Sequence, residues 1–519
     1  MSTRDVDAEV GNGQVVWPST AESTGSTGSA DAGPTFDSLN PRDGSVVASY
    51  PVHDAAAVTA AVGRAQLAAH WWAGLGFAGR SKLLHQWAGV LTKRMPELCA
   101  VVSAETGKPH TDAQLEVVLA IDHVAWAAKH ARSVLGPHRR APGMLLANFT
   151  ASVRYEPLGV IGVIGPWNYP VFTPMGSIAY ALAAGNAVVF KPSEYTPGVG
   201  AWLADSLREV IPDQPVFQVV TGLGETGAAL TRSGVDKIAF TGSANTGRKV
   251  MATCAETLTP VVIEGGGKDS LLVDVDANLD AAADAAVWGG MSNAGQTCVG
   301  VERVYVHEDV YDEFVAKVVA KTNGLKANTD ADAKVGPITM PSQLNIIREH
   351  IDDALRRGGR ALVGGADAVG DRFVQPTVLV DVPEDAKAVT DETFGPTLTV
   401  ARVRDMDEAV AKANSTRYGL GNTVFSKRRG TELARRLRSG MVAVNSVIAF
   451  AGIPSLPFGG VGDSGFGRIH GADGLREFAR PKAIAKRLFR IPVDMTTFSK
   501  TEKSDKFVAG LVRVLYGRK

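Results

Sequence analysis

Cys298 lies in S-N-A-G-Q-T-C-V-G, residues 292–300, among small and polar neighbours. A thiol there is either inert core packing or a nucleophile presented to a substrate. Two glycine loops could offer backbone N–H groups to an anion. G-L-G-E-T-G, residues 222–227, matches the dinucleotide fingerprint G-x-G-x-x-G literally. F-T-G-S-A-N-T-G, residues 240–247, also follows an apolar run and sets Ser243 at a helix start. Spacing alone does not choose between them. Cys99 and Cys254 complete an odd set of three thiols with no C-x-x-C pair and no His at zinc spacing. Neither a disulfide framework nor a metal site is expected.

The elements that position these residues follow from length and pattern. The 519 residues suffice for two to four folded units, and 45% hydrophobic with 21% charged residues is an ordinary globular composition. Lys plus Arg equals Asp plus Glu, 54 each, so charge gives no reason to expect nucleic acid as a partner. The first residues after Met1 include Asp5, Asp7 and Glu9 and no apolar stretch, unlike a secretion signal, and a reducing cytoplasm is the expected compartment. Residues 1–34 are rich in Ser, Thr, Gly and Ala and read as a disordered tail. Apolar residues recur at helical spacing over 54–131. From Val153 onward short β-branched runs alternate with helical ones: V-I-G-V-I-G, A-V-V-F, V-F-Q-V-V, K-I-A-F and V-V-I-E. L-L-V-D-V, V-E-R-V-Y-V-H, R-A-L-V-G-G, P-T-V-L-V-D-V and T-L-T-V-A-R-V form a second such set. Alternation implies an α/β fold with two mainly parallel sheets and a cleft between them.

P-W-N-Y-P (166–170) and K-P-S-E (191–194) each follow a strand, I-E-G-G-G-K (263–268) ends one in a carboxylate, and N-A-G-Q-T-C comes after it. D-E-T-F-G-P (391–396), N-S-V-I-A-F (445–450) and L-P-F-G-G-V-G-D-S-G-F-G-R (456–468) close the series. In this order the set resembles the aldehyde dehydrogenase superfamily from about residue 36 to 484.

The resemblance implies a Rossmann-like NAD-binding domain (35–134 and 157–263), an α/β catalytic domain (264–470), and a small β hairpin for oligomerisation (135–156 and 471–495). It implies that Cys298 is the nucleophile, that Asn168 and the backbone N–H of Cys298 hold the oxyanion, and that Glu264 activates water to hydrolyse the thioester. Gly295 is expected to clear the approach to the thiol. For the cofactor, NAD with NADP as second choice, it assigns Lys191 and Glu194 to the adenosine ribose and the turn at Gly242 and Ser243 to the pyrophosphate. Gly224 would sit nearer the adenine, Glu392 and Phe394 beside the nicotinamide half, and Trp167 is a further cofactor-binding residue.

The sequence departs from the family pattern at Gly265, where Leu is common, and at Ser270, where Pro is frequent; Gly265 is expected to loosen the strand end or admit a larger group beside the base. Tyr169, Phe172, Met175 and Phe450, with no Arg or Lys in the following helix, favour an apolar or aromatic aldehyde over one bearing a distal carboxylate. Transfer of the thioester to coenzyme A is the alternative chemistry, disfavoured by Glu264, and a silent binding protein of this fold would more readily have lost Cys298 or Asn168. A homodimer or homotetramer is expected. Residues 496–519 read as an amphipathic tail, with Phe507, Val508, Leu511, Val512 and Leu515 on one helical face, that docks on the protein or contacts a membrane peripherally.

Overall fold

A computed structural model describes residues 33–330, 333–491 and 496–517. The expected tail at 1–34 therefore lies outside the described residues, apart from Gly33 and Pro34. The chain forms two compact units, one from the residues up to Val134 together with Pro157–Ala479, the other from Leu135–Glu156 and the chain from Arg480 onward. The second segment of that smaller unit starts at Arg480, against 471 from the sequence.

The larger unit opens with an antiparallel pair, β1 (Thr35–Leu39) and β2 (Val46–Pro51), that the sequence reading does not anticipate. Four helices follow: α1 (Ala55–Gly74), α2 (Gly76–Lys93), α3 (Met95–Thr106) and α4 (His110–Leu135). Asp54 starts α1 by accepting from the Ala57 N–H at 2.8 Å. Val58, Ala61, Val62, Ala65 and Ala69 recur at three and four residues along α1 and pack on the first main sheet.

That sheet has the order β17-β9-β8-β5-β6-β7. Its parallel strands are β5 (Val160–Ile164), β6 (Ala187–Lys191), β7 (Phe217–Val219), β8 (Lys237–Thr241) and β9 (Val261–Glu264). Helices α5 (Phe172–Ala184), α6 (Pro197–Arg208), α7 (Gly224–Arg232) and α8 (Ala244–Ala255) supply the crossovers. Gly185 ends α5 at φ 108°, a left-handed cap in which its N–H reaches the Ala181 and Leu182 carbonyls.

The second main sheet runs β12-β13-β14-β11-β10-β15-β16. It comprises β10 (Asp269–Val273), β11 (Val301–His307), β12 (Arg360–Val363), β13 (Thr377–Val380), β14 (Thr397–Val403), β15 (Gly421–Phe425) and β16 (Met441–Val444). All pairs are parallel except β12 with β13. The R-A-L-V strand is thus an antiparallel edge, and β15 and β16 extend the sheet beyond the runs recognised in the sequence. The chain then returns, and β17 (Gly465–Phe466) pairs antiparallel with β9. This return ties residues of the expected catalytic segment to the first sheet beside Glu264. The smaller unit holds a three-stranded sheet, β18 (Ala479–Arg487), β4 (Phe149–Pro157) and β3 (His138–Arg140), and a helix at Glu502–Tyr516. Among the described residues no helix is long and apolar enough to cross a membrane.

Candidate active site

Strand order decides where the motifs meet. From β5 the first sheet grows to β6 and β7 on one side and to β8 and β9 on the other. The topological switch lies at the carboxyl ends of β5 and β8, where open α/β sheets bind ligands. Trp167 and Asn168 follow β5, Gly242 and Ser243 follow β8, Lys191 ends β6, and Glu264 ends β9. Ser243 caps α8 by accepting from the Thr246 N–H at 3.2 Å, which aims the first turn of the helix at the crevice. The literal fingerprint lies elsewhere: Gly224 begins α7 after β7, the sheet edge, and Thr226 Oγ1 donates to the His53 carbonyl at 2.8 Å. The protein's own packing requires glycine at neither Gly224 nor Gly227, since a β-carbon at either would meet nothing within 4 Å.

Lys191 tests whether a dinucleotide fits the crevice. Its side chain is buried, its one partner among the described residues is Glu194 Oε2 at 3.4 Å, and burial lowers its pKa despite that carboxylate. A buried ammonium with donors to spare, beside a half-exposed carboxylate, suits the hydroxyls of a ribose.

The Cys298 loop leaves α9 (Leu279–Met291) through three successive left-handed residues, Asn293 (φ 50°), Ala294 (φ 55°) and Gly295 (φ 70°). Two of these carry side chains, and such conformers cost about 1–2 kcal/mol each unless the surroundings enforce them. The enforcement is visible. The Asn293 N–H donates to Asp112 Oδ2 at 3.1 Å, and its side chain donates to the carbonyls of Asn168 (3.0 Å) and Gln296 (3.1 Å). Gln296 in turn donates to Asn293 O and Pro337 O and accepts from the Thr339 N–H. A β-carbon at Gly295 would lie 2.1 Å from the Gly395 carbonyl oxygen. Gly295 therefore admits the backbone of the 395–396 turn, which replaces the expectation that it clears the thiol's approach.

Asn168 is buried, and its Nδ2 donates one N–H to Gln296 O at 2.8 Å, leaving the second without a partner among the described residues. The backbone N–H of Cys298 likewise donates to no group among the described residues. Tyr169 Oη meets Thr297 Oγ1 at 2.9 Å, fixing the ring beside the residue that precedes Cys298. Phe172 is half-buried, whereas Met175 is wholly enclosed within the α5 packing.

Carboxylates dominate the electrostatics. Burial pushes the Cys298 thiol up, and Glu264, Glu392 and Asp269 push it further, against one backbone N–H from Val299. Glu264 is buried; burial raises its carboxyl to about 8, while Thr241 Oγ1, donating to Oε2 at 3.1 Å, and Arg468 act in the other direction. Its Oε1 has no partner among the described residues and is free to take a proton. Glu392 is also raised to about 8, chiefly by burial, and accepts from the Gly267 N–H at 3.0 Å. Glu302, ion-paired to buried Lys268, accepts from the backbone N–H groups of Thr393 and Phe394. This holds Phe394 at φ 52° with its ring edge-on to Trp167 at 5.5 Å between centroids.

The unusual E-G-G-G-K run has its own packing reason. A β-carbon at Gly265 would lie 2.5 Å from the Asp463 carbonyl oxygen, and the Gly265 N–H donates to Ser464 O at 3.0 Å. The chain's own returning turn fills the space where a side chain would stand, so the strand end is clamped and the expected room for a larger group is absent. A β-carbon at Gly267 would press on the Cys298 carbonyl oxygen at 2.4 Å, so the chain after Glu264 passes directly against Cys298.

The sequence reading does not single out Lys108 and Glu116, although both serve the site. Both are buried and ion-paired at 2.8 Å; Lys108 Nζ also donates to Asn168 O at 2.7 Å, and Glu116 Oε1 accepts from the N–H groups of Val171 and Phe172 at the start of α5. The signal was E-T-G-K-P, residues 105–109, which by itself reads as a helix end because Gly107 caps α3 at φ 72°. Lys108→Met leaves a buried carboxylate unpaired and lowers stability by about 3–5 kcal/mol, measurable by urea denaturation.

Comparison with known proteins gives concordant matches. A model described as the aldehyde dehydrogenase family matches residues 28–484. The chain is 36% identical over 489 residues to a 4,4'-diapolycopene aldehyde oxidase of Methylomonas sp, covering 93% of this chain and 92% of that one. It is 36% identical over 449 residues to a putative NADP+ succinate-semialdehyde dehydrogenase of Mycolicibacterium smegmatis, covering 85% and 87%. The crystal structure of an NAD-dependent aldehyde dehydrogenase from Sinorhizobium meliloti superposes with a TM-score of 0.85 at 34% identity, over 90% of this chain and 94% of that one.

Proposed function

The chain belongs to the aldehyde dehydrogenase family, and from that premise we propose that Cys298, Asn168 and Glu264 form the reacting centre of an NAD(P)-dependent oxidation of an aldehyde to its carboxylic acid. The observation that carries this reading is their convergence at the switch point, with two unused N–H donors beside a thiol and a buried carboxylate oxygen without a partner among the described residues. Cys298 gives its thiol proton to solvent, and Sγ attacks the carbonyl carbon. The carbonyl π pair moves to oxygen and is met by the second Asn168 side-chain N–H and the Cys298 backbone N–H. The dinucleotide, when bound, supplies the acceptor for the hydride that leaves this carbon. Glu264 then takes a proton from water, the water oxygen attacks the thioester, the C–S bond breaks, and the electron pair returns to Sγ, which is protonated.

Of the cofactor residues, Lys191 and Glu194 hold the adenosine ribose, while Gly242, Ser243 and the first turn of α8 face the pyrophosphate. Gly224 lies toward the adenine, and Trp167, Glu392 and Phe394 line the nicotinamide half. Glu194 is the discriminating group, because a 2′-phosphate brings about −1.5 to −2 charges beside its carboxylate. An unfavourable term of only about 1.4 kcal/mol gives tenfold selection for NAD. Glu194→Ser raises the kcat/KM ratio of NADP to NAD about tenfold; a ratio left unchanged places Glu194 away from the ribose.

The substrate we propose is an apolar or aromatic aldehyde. The cations packed around the centre are already committed: Lys108 to Glu116, Lys268 to Glu302, and Arg468 Nη1 to the Gly460 and Gly467 carbonyls. Both lysines of this group are already neutralised by carboxylates, which disfavours a substrate with a distal carboxylate. The relatives described as succinate-semialdehyde dehydrogenases favour the second reading, a semialdehyde. Initial rates of reduced-cofactor formation with hexanal, benzaldehyde and succinate semialdehyde distinguish the two, and saturation by succinate semialdehyde alone overturns the first.

The partner we propose is a second copy of the chain, in a homodimer or homotetramer. β16 ends the seven-stranded sheet and β18 ends the three-stranded one, each with an unpaired edge among the described residues. Bare edges invite strand pairing, and closed oligomers satisfy them. Three unpaired thiols suit a reducing compartment, in keeping with a cytoplasmic location.

A further inference from the structure

The family match ends at residue 484, and the chain beyond it differs from the rest in charge and exposure. Residues 485–519 carry nine Lys or Arg against three Asp or Glu in a chain of net charge zero, so the preceding residues have a net charge of −6. The same segment exposes large apolar side chains: Leu488, Phe489 and Ile491 after β18, Phe498 completely, and Phe507 (62%) and Val514 (69%) on the helix Glu502–Tyr516. A capping box at Thr501 and Ser504 starts that helix, yet none of its residues is buried. On the helix surface Lys503, Phe507 and Val514 succeed one another at spacings of four and seven along one exposed stripe, and Val508, Leu511 and Leu515 adjoin it half-buried. Lys506 is paired with Glu502, whereas Lys503 and Arg513 form no ion pair among the described residues.

We propose that residues 488–491 and 498–517 form a docking surface for an anionic lipid bilayer, with the Phe507–Val514 stripe and Phe498 entering the acyl boundary while Lys500, Lys503 and Arg513 meet the headgroup phosphates. The charge pattern favours this occupant. Long cationic side chains beside exposed aromatic and β-branched residues extend their charged ends to a headgroup layer while their stems stay apolar. A helix of 15 residues spans about 22 Å, long enough to lie in the interface plane and too short to cross the hydrocarbon core. The attraction is electrostatic in part, so it requires acidic lipid and weakens with salt.

The test is sedimentation of the full-length protein with phosphatidylcholine vesicles and with equimolar phosphatidylcholine and phosphatidylglycerol vesicles. Two full-length double variants accompany it, Phe507→Asp/Val514→Asp and Lys503→Glu/Arg513→Glu. The wild type sediments with the acidic vesicles and stays in solution with the neutral ones. About 0.5 M salt, or either double variant, lowers the partition coefficient about tenfold or more while oxidation of a water-soluble aldehyde is unchanged. Absence of binding to acidic vesicles overturns the proposal, as does undiminished binding by both variants. A wild type indifferent to vesicles, together with a fall in oligomeric mass of the Phe507→Asp/Val514→Asp variant by light scattering, assigns the stripe to a second copy of the chain instead.

Discussion

Cys298→Ala lowers aldehyde oxidation by at least about 10⁴-fold in kcat/KM, to the level of the uncatalysed reaction, because the thiol is the nucleophile of the proposed mechanism. Cofactor affinity, read by quenching of Trp fluorescence, stays within about twofold of wild type, since the thiol is not among the groups assigned to the dinucleotide. The substitution also leaves the fold intact: the loop is held by Asn293, Gln296 and the close approach of Gly295 to Gly395, none of which involves the sulfur. Turnover near the wild-type rate would move the nucleophile elsewhere. Loss of cofactor binding together with activity would point to collapse of the strained loop.

Glu264→Gln separates the two halves of the reaction. The thioester forms and then waits, so stopped-flow absorbance shows a burst near one equivalent of reduced cofactor per active site, followed by a steady state slower by about 10²–10⁴-fold. A variant with no burst places Glu264 before hydride departure, as the acceptor of the thiol proton. The pH profile follows from the same group. With its carboxyl raised to about 8, Glu264 is protonated at neutral pH and becomes a base as pH rises. The hydrolytic rate of the wild type therefore climbs about tenfold per pH unit below 8 and levels off above it, and the Gln variant lacks this limb. The sign for stability is opposite. The folded state holds this proton between the ordinary 4.5 and about 8, so across that window the group's contribution to stability falls as pH rises, and Glu264→Gln abolishes the fall.

The sequence by itself determined the class of the protein. Alternating apolar runs and helical segments specify parallel α/β sheets, because side-chain periods of 2 and 3.6 are local properties of the chain. The ordered motifs around Asn168, Lys191, Glu264, Cys298 and Phe394 identified the family, whose chemistry needs those side chains at strand ends and turns. The residues of the proposed site could therefore be named from the sequence, and so could the uncertainty between the two glycine loops.

Tertiary structure decided the rest, because contacts across long sequence separations leave no periodic trace. Strand order put the Ser243 turn at the switch point and the G-L-G-E-T-G loop at the sheet edge, a choice that spacing could not make. Gly295 and Gly265 are small because distant backbone, at Gly395 and Asp463, occupies the place of a side chain. Lys108 and Glu116 entered the site only once α4 and α5 were packed together, since the hydrogen bond by which Lys108 of this buried ion pair anchors the Asn168 carbonyl joins residues 60 positions apart. The raised carboxyl of Glu264 is likewise a property of its enclosure: the residue type names an acid, and burial beneath the returning chain lifts its titration to about 8.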